Sequence, residues 1–269
     1  MTAPRTVLLT GAAGGVGTLM RELLPPYGHR LRLFDRRPIE GEPDAVTAEL
    51  ADTGALRAAV RGVDAIVHLA GISLESSFEQ ILRANIEGTY RLYEAAREAG
   101  VRRVVLASSN HAVGFTPRPP DGSAAIPADT PHRPDTFYGL SKCFGEDLAA
   151  LYWDRHGIET VSLRIGSCHP EPTTVRMLSI WLSPADCARL LHAALTAEHV
   201  GHTVAYGSSA NTRLWWDLST ARALGYDPQD DSEPYAAQLL AAQGQPDPDD
   251  PDHAHLGGTF CTNPPRWQH

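Results

Sequence analysis

Val7-Leu8-Leu9-Thr10-Gly11-Ala12-Ala13-Gly14-Gly15-Val16-Gly17 runs from an apolar, strand-like stretch into a glycine-rich turn and out into an amphipathic segment. Glycines at 11, 14 and 17 remove the Cβ atoms that would keep the backbone away from a pyrophosphate. The helix that follows offers unpaired N–H groups and the positive end of its dipole. The same pattern also serves as an ordinary tight turn, so its surroundings decide the reading. Asp35 closes the next apolar run, where a carboxylate can accept hydrogen bonds from ribose hydroxyls and would repel a 2′-phosphate. That favours NAD over NADP, although Arg36 and Arg37 follow directly and could attract the phosphate.

On either side of Asp35, through the first two thirds of the chain, short apolar runs alternate with amphipathic ones. This is the pattern of β-α-β units feeding a parallel sheet with helices on both faces. Residues 6–10, 31–34, 65–69, 104–107 and 160–164 read as strands. Residues 16–27, 53–61, 78–100 and 136–156 read as helices, with Gly100 and Gly157 as stops. After about residue 166 the pattern loosens. A helix over 183–196 begins at Ser183-Pro184, and the acidic Pro-Asp-Pro-Asp-Asp-Pro-Asp run within 245–252 reads as a solvated loop. Residues 1–170 are expected to form a dinucleotide-binding domain carrying the catalytic groups. Residues 171–269 are expected to be a smaller substrate-binding part packed with it as one compact unit.

The chain has 269 residues, 42% hydrophobic and 20% charged, which excludes collagen-like, disulfide-scaffold and largely disordered classes. A net charge of −9 argues against a general nucleic-acid binder. No apolar run reaches the roughly 18 residues of a membrane span. Four cysteines without a C-x-x-C pair, and no charged-then-apolar leader, point to a reduced, cytoplasmic protein. The histidines join no pattern of known ligand spacing, so no metal is expected.

Of the 23 basic residues, Lys142 is the sole lysine. It follows Tyr138 at i+4, on one face of a helix. A free phenol has a pKa near ~10, and a neighbouring ammonium favours its ionised form. Lysine also supplies a compact charge with three donors, which arginine's planar fork does not reproduce. Such spacings also arise as incidental surface pairs. Ser108-Ser109-Asn110-His111 follows the apolar run 104–107, so its side chains would emerge at the carboxyl end of a parallel strand, where ligands bind. Ser109 could orient a substrate hydroxyl toward Tyr138, or simply cap a turn.

Thr-Gly-x-x-Gly-x-x-Gly at 10–17, His68-Leu69-Ala70-Gly71, Asn85-x-x-Gly88-Thr89, Ser108-Ser109 and Tyr138-x-x-x-Lys142 together resemble the extended short-chain dehydrogenase/reductases, the NAD-dependent epimerase/dehydratase group. The resemblance covers about residues 5–170. It implies a Rossmann-type α/β fold, a doubly wound parallel sheet with a small C-terminal substrate-binding part. NAD would be held by Gly11, Ala13, Gly14, Gly15, Val16, Gly17, Asp35, Glu49, Leu50, Leu69, Ala70, Gly71, Asn85, Tyr138, Lys142 and Ile165. Where Asp-Leu is usual, this chain has Glu49-Leu50, which places the side-chain bond to the adenine in question.

Residues 68–73 with 78–82, 138–146, Arg164-Ile165-Gly166-Ser167-Cys168, Arg176-Met177-Leu178-Ser179, Trp215-Trp216-Asp217 and Gly257-Gly258-Thr259-Phe260 are similar to the uronate dehydrogenases within that group. The implied activity is oxidation of a cyclic hexuronate, D-glucuronate or D-galacturonate, at C1 to the aldarolactone. The implied catalytic groups are Tyr138 as base, Lys142 and Ser109. Ser73, Asn110, His111 and Ser167 would line the sugar hydroxyls, and Phe260 would cover the site. Arg176 would grip the carboxylate, for which its charged fork is suited. The family often pairs through its two long helices, so a homo-oligomer is expected. Two alternatives stay open: a sugar or nucleotide-sugar epimerase or dehydratase of the same superfamily, and a non-catalytic dinucleotide-sensing protein.

Overall fold

Side chains alternate across β1 (Thr6–Thr10), so Val7 and Leu9 enter one hydrophobic core and Leu8 enters another. Both faces of the strand are therefore covered, which is why the run is apolar throughout. The computed structural model describes residues 5–119, 125–247 and 249–263. Gly11 turns the chain out of β1 with φ +73°, and a Cβ there would stand 2.7 Å from the Ala70 nitrogen, so only glycine fits. α1 (Gly15–Leu23) follows with Gly14 at its N-cap and no side-chain cap. First-turn N–H groups are left for another acceptor.

The order continues with β2 (Arg30–Asp35), β3 (Val46–Thr47), α2 (Thr53–Val60), β4 (Ala65–His68), α3 (Phe78–Ile81), a π-helical turn (Leu82–Glu87), α4 (Gly88–Ala99), β5 (Arg103–Ser109), α5 (Phe137–His156) and β6 (Glu159–Ile165). After these come β7 (Ser167–Cys168), α6 (Met177–Ile180), β8 (Trp181–Leu182), α7 (Pro184–Thr196), β9 (His202–Gly207), α8 (Ser219–Ala223), α9 (Ala236–Gln243) and α10 (Pro251–Ala254). Seven strands form one parallel sheet in the order β3-β2-β1-β4-β5-β6-β9. The order reverses beside β1, between β2 and β4, and this switch point opens a crevice at the carboxyl ends of the strands.

All five expected strands form, each within a residue or two of its expected bounds. The helix expected over 16–27 ends at Leu23 and resumes as a 3-10 turn at Pro25–Tyr27, because the two prolines cannot continue it. The helix expected over 78–100 contains the π-helical turn, which faces Asn85 inward. Gly100 and Gly157 close their helices in the left-handed region. The division at residue 170 does not separate the layers. β9 pairs with β6 over six residues, and α7 packs on α1 and β5, so the C-terminal part completes the sheet. β9 lacks a strong apolar signature because it is an edge strand, half of it only partly buried.

The acidic run near 245–252 is likewise more than a solvated loop. Asp250 accepts the Asp252 N–H and caps α10, and both aspartates border the central cavity. Pro248 lies outside the described residues. Beyond α10 the chain straps back across residues 114–118, through Leu256 N–H to Thr116 O at 3.0 Å and Gly257 N–H to Gly114 O at 2.8 Å. Among the described residues no helix is long and apolar enough to cross a membrane.

Candidate active site

A cavity of about 840 Å³ runs along the carboxyl ends of β1, β4, β5 and β6. At one end lies the glycine turn, with Gly11, Gly14, Gly15, Val16 and Gly17 on the wall, joined by Leu69, Gly71 and Ile165. A Cβ at Gly17 would overlap the Gly11 carbonyl, which fixes the tight packing of the turn. Around the Cβ position of Gly15 nothing lies within 4 Å, so the first turn of α1 faces open space. That arrangement fits a phosphate group.

Ala13, Ala70, Asp35, Glu49, Leu50 and Asn85 are not on this wall. Ala70 lies behind Gly11. Asp35 closes β2 with its carboxylate accepting from the Ala13 N–H and the Arg37 N–H, both at 2.9 Å. Glu49 is exposed, and Leu50 packs inward toward Gly88. Asn85 grips the Ile72 backbone from both sides, at 2.7 and 2.9 Å, and reaches the Ser141 hydroxyl at 3.0 Å. It holds the loop that carries Ser73 rather than facing the cavity.

Ser109, Tyr138 and Lys142 meet on the wall beside Ile165. Two caps set the start of α5. Thr136 Oγ1 accepts the Gly139 N–H at 3.0 Å, and Glu75 accepts the Tyr138 N–H at 3.0 Å. Ser109 caps the turn after β5, where its hydroxyl accepts the His111 N–H at 3.3 Å, and it also stands close enough to the Tyr138 phenol to favour its ionised form. The protein by itself does not lower the phenol's pKa. Burial pushes Tyr138 up to about 12 against the opposing Ser109 bond. The reason is geometric: Lys142 Nζ donates to the Ala107 carbonyl at 2.8 Å and stands 5.3 Å from the Tyr138 ring centroid. Burial also pushes the Lys142 amine down to about 8.

Ser73, His111, Ser167, Arg176 and Phe260 line the other end. His111 Nδ1 lies 2.6 Å from Asp135, and its ring stacks on Phe260 with centroids 4.0 Å apart. β7 pairs with β8 and so fixes Ser167 at the wall. Asn110 is buried and donates to the Leu256 carbonyl at 3.2 Å, away from the wall. Arg176, on the wall, donates to the same carbonyl, so a cavity residue and a buried neighbour together hold the C-terminal strap. Its Nε has no partner, burial draws its pKa down to about 10, and among the described residues no carboxylate pairs with it.

Sequence reasoning passed over three carboxylates here, Asp135, Glu75 and Glu146. Glu146 lies one turn after Lys142 and is 2% exposed. It joins Ser108, His132 at 2.8 Å, and Arg164 at 2.8 and 3.0 Å. An ionic hub thus ties α5 to the ends of β5 and β6 directly beneath the catalytic groups. The i+4 spacing to Lys142 was the available signal.

Residues 7–170 match the profile of the NAD dependent epimerase/dehydratase family. The chain belongs to this family. A uronate dehydrogenase of Pseudomonas syringae pv. tomato is 51% identical over 263 residues, covering 96% of this chain and 94% of that protein. Among solved structures, an Agrobacterium tumefaciens uronate dehydrogenase with a tyrosine changed to alanine, complexed with NAD, is 46% identical. It superposes with a TM-score of 0.90, covering 97% of this chain and 98% of that one. A glucuronic acid dehydrogenase of Chromohalobacter salexigens is 45% identical with a TM-score of 0.91, covering 98% and 99%. In this epimerase/dehydratase family member the similarity thus extends beyond the nucleotide-binding half, through Arg176 and the C-terminal strap.

Proposed function

We propose that the protein oxidises a cyclic hexuronate, D-glucuronate or D-galacturonate, at C1 to the aldarolactone with NAD. The observation that carries this reading is Arg176, a half-buried guanidinium whose Nε has no partner and which forms no ion pair with a carboxylate among the described residues, lining the same cavity as Tyr138. Asp135 attracts it only from a distance, so a ligand carboxylate in the cavity would complete its pairing. NAD, when bound, supplies the hydride acceptor.

The residues divide the remaining work. The first turn of α1 would hold the pyrophosphate, Asp35 the adenosine ribose, and Lys142 the nicotinamide ribose. Tyr138 takes the proton of the C1 hydroxyl, Ser109 orients that hydroxyl, and Arg176 binds the carboxylate in a fork. Ser73, His111 and Ser167 face the ring hydroxyls, and Phe260 covers the sugar. A panel of uronates and neutral aldoses with NAD or NADP, followed by absorbance of the reduced cofactor, tests the reading. Reduction in proportion to uronate, with neutral aldoses inert, is expected. A cofactor that stays bound and is never reduced in net amount would instead mark an epimerase or dehydratase.

We also propose pairing of two copies through α4 and α5, supported by exposed Tyr90, Leu140, Leu151 and Trp153 on those helices. Light scattering that finds only monomer would contradict it. A cytoplasmic location is supported by four free thiols.

A further inference from the structure

No motif marks Asp135, yet three separate segments give way to it. A Cβ at Gly114, Gly139 or Gly257 would collide with its carboxylate. These glycines come from the turn after β5, from α5 and from the C-terminal strap, so the fold leaves one carboxylate-sized notch where its layers meet. The side chain is fully buried, with Oδ1 accepting from Thr136 Oγ1 at 2.8 Å and Oδ2 facing His111 Nδ1 at 2.6 Å.

An acceptor oxygen against Nδ1 places the imidazole proton there, which leaves Nε2 with a lone pair. Burial keeps the ring neutral by pushing its pKa down, against the pull of Asp135. The ring cannot rotate freely. It stacks on Phe260 at 4.0 Å and meets the edge of Tyr138 at 5.7 Å, within the cavity wall.

We propose that Asp135 is a specificity-determining positioning residue: it fixes the His111 proton on Nδ1, so that Nε2 presents an acceptor that only a hydroxyl-bearing sugar carbon can satisfy. The inference rests on the reading of the cavity as a hexuronate site. The sugar position facing His111 must then carry a donor. A hydroxyl is taken, and fluorine, which accepts but cannot donate, is refused.

The test uses hexuronates fluorinated in place of one hydroxyl at C2, C3 or C4, with the parent and Asp135→Asn. One of the three analogues should lose at least about tenfold in kcat/KM with the parent, beyond the loss at the other positions. In Asp135→Asn the amide donates to Nδ1, moves the proton to Nε2, and should cut that one penalty to about threefold or less. Fluorine's inductive effect is common to both proteins and cancels in the comparison. Identical penalties in both proteins would overturn the proposal. The ring ¹⁵N shifts of His111, assigned with His111→Gln, decide the matter without turnover and in the parent alone. An Nδ1–H tautomer at neutral pH supports it, and an Nε2–H or doubly protonated ring overturns it. A parent that oxidises no uronate would refute the functional reading, and the nitrogen shifts would still judge the role of Asp135.

Discussion

Lys142 stands one helical turn after Tyr138 with its ammonium 5.3 Å from the phenol ring centroid, yet it donates to the Ala107 carbonyl rather than to the phenol. Burial pushes the phenol up to about 12 and the amine down to about 8, and the ammonium lies too far off to lower the phenol. Oxidation requires the phenol to lack its proton, because it acts as base. For the free enzyme, kcat/KM should therefore rise with pH throughout the range 6 to 9. A profile flat from pH 6 to 9, or declining as pH rises, would contradict the assignment.

Tyr138→Phe keeps the ring packed against His111 and removes only the hydroxyl bonded to Ser109. Loss of a positioned base costs ~10²–10⁴ in rate. Turnover within about tenfold of the parent would show that another group takes the proton.

Lys142→Arg preserves the charge but not the geometry. A planar fork is longer than the ammonium, and the amine reaches the Ala107 carbonyl from a half-buried position on the cavity wall. Activity should drop by at least about a hundredfold while the fold persists. Near-parental turnover by the arginine variant would mean that charge alone suffices.

Arg176→Ala removes the guanidinium that lines the sugar wall and loosens the strap at Leu256. The Michaelis constant for uronate should rise about a hundredfold, consistent with 2–3 kcal/mol for a charge-assisted fork. The constant for NAD should change little. Equal changes in both would assign Arg176 to holding the strap only.

The parts of the fold and site that lie close in the chain were legible. The glycine turn follows its strand directly, Asp35 ends the next one, and Tyr138 and Lys142 share a helix face, so spacing alone sets their geometry. What escaped was assembled from distant pieces. The notch for Asp135 is cut by glycines at 114, 139 and 257, none of which differs locally from any turn or helix glycine. Asn110 carried a substrate role by resemblance, and the structure instead engages it with Leu256, 146 residues away. β9 was invisible because an edge strand needs only one apolar side.

Glu146 and Arg164 supply the remaining expectation, because each is about 3% exposed or less and they are joined by two hydrogen bonds. Glu146→Gln leaves the guanidinium buried without its anion, which costs on the order of 3–5 kcal/mol. With roughly 2–4 °C per kcal/mol for a chain of this size, the melting temperature should fall by about 10 °C. The pH dependence follows from His132, whose pKa is raised to about 10 by its bonds with Cys143 and Glu146. A raised value adds stability fully present below the ordinary 6.5 and lost as pH climbs through 10. Glu146 is the opposite case: burial opposes its charge, but His132 and Arg164 hold it down to about 2, so its share persists above 4.5 and is lost toward 2. The melting-temperature gap between parent and Glu146→Gln should accordingly be widest near pH 5–6 and narrow toward pH 9. Calorimetry across that range would reject the hub if the gap stayed constant or widened with rising pH.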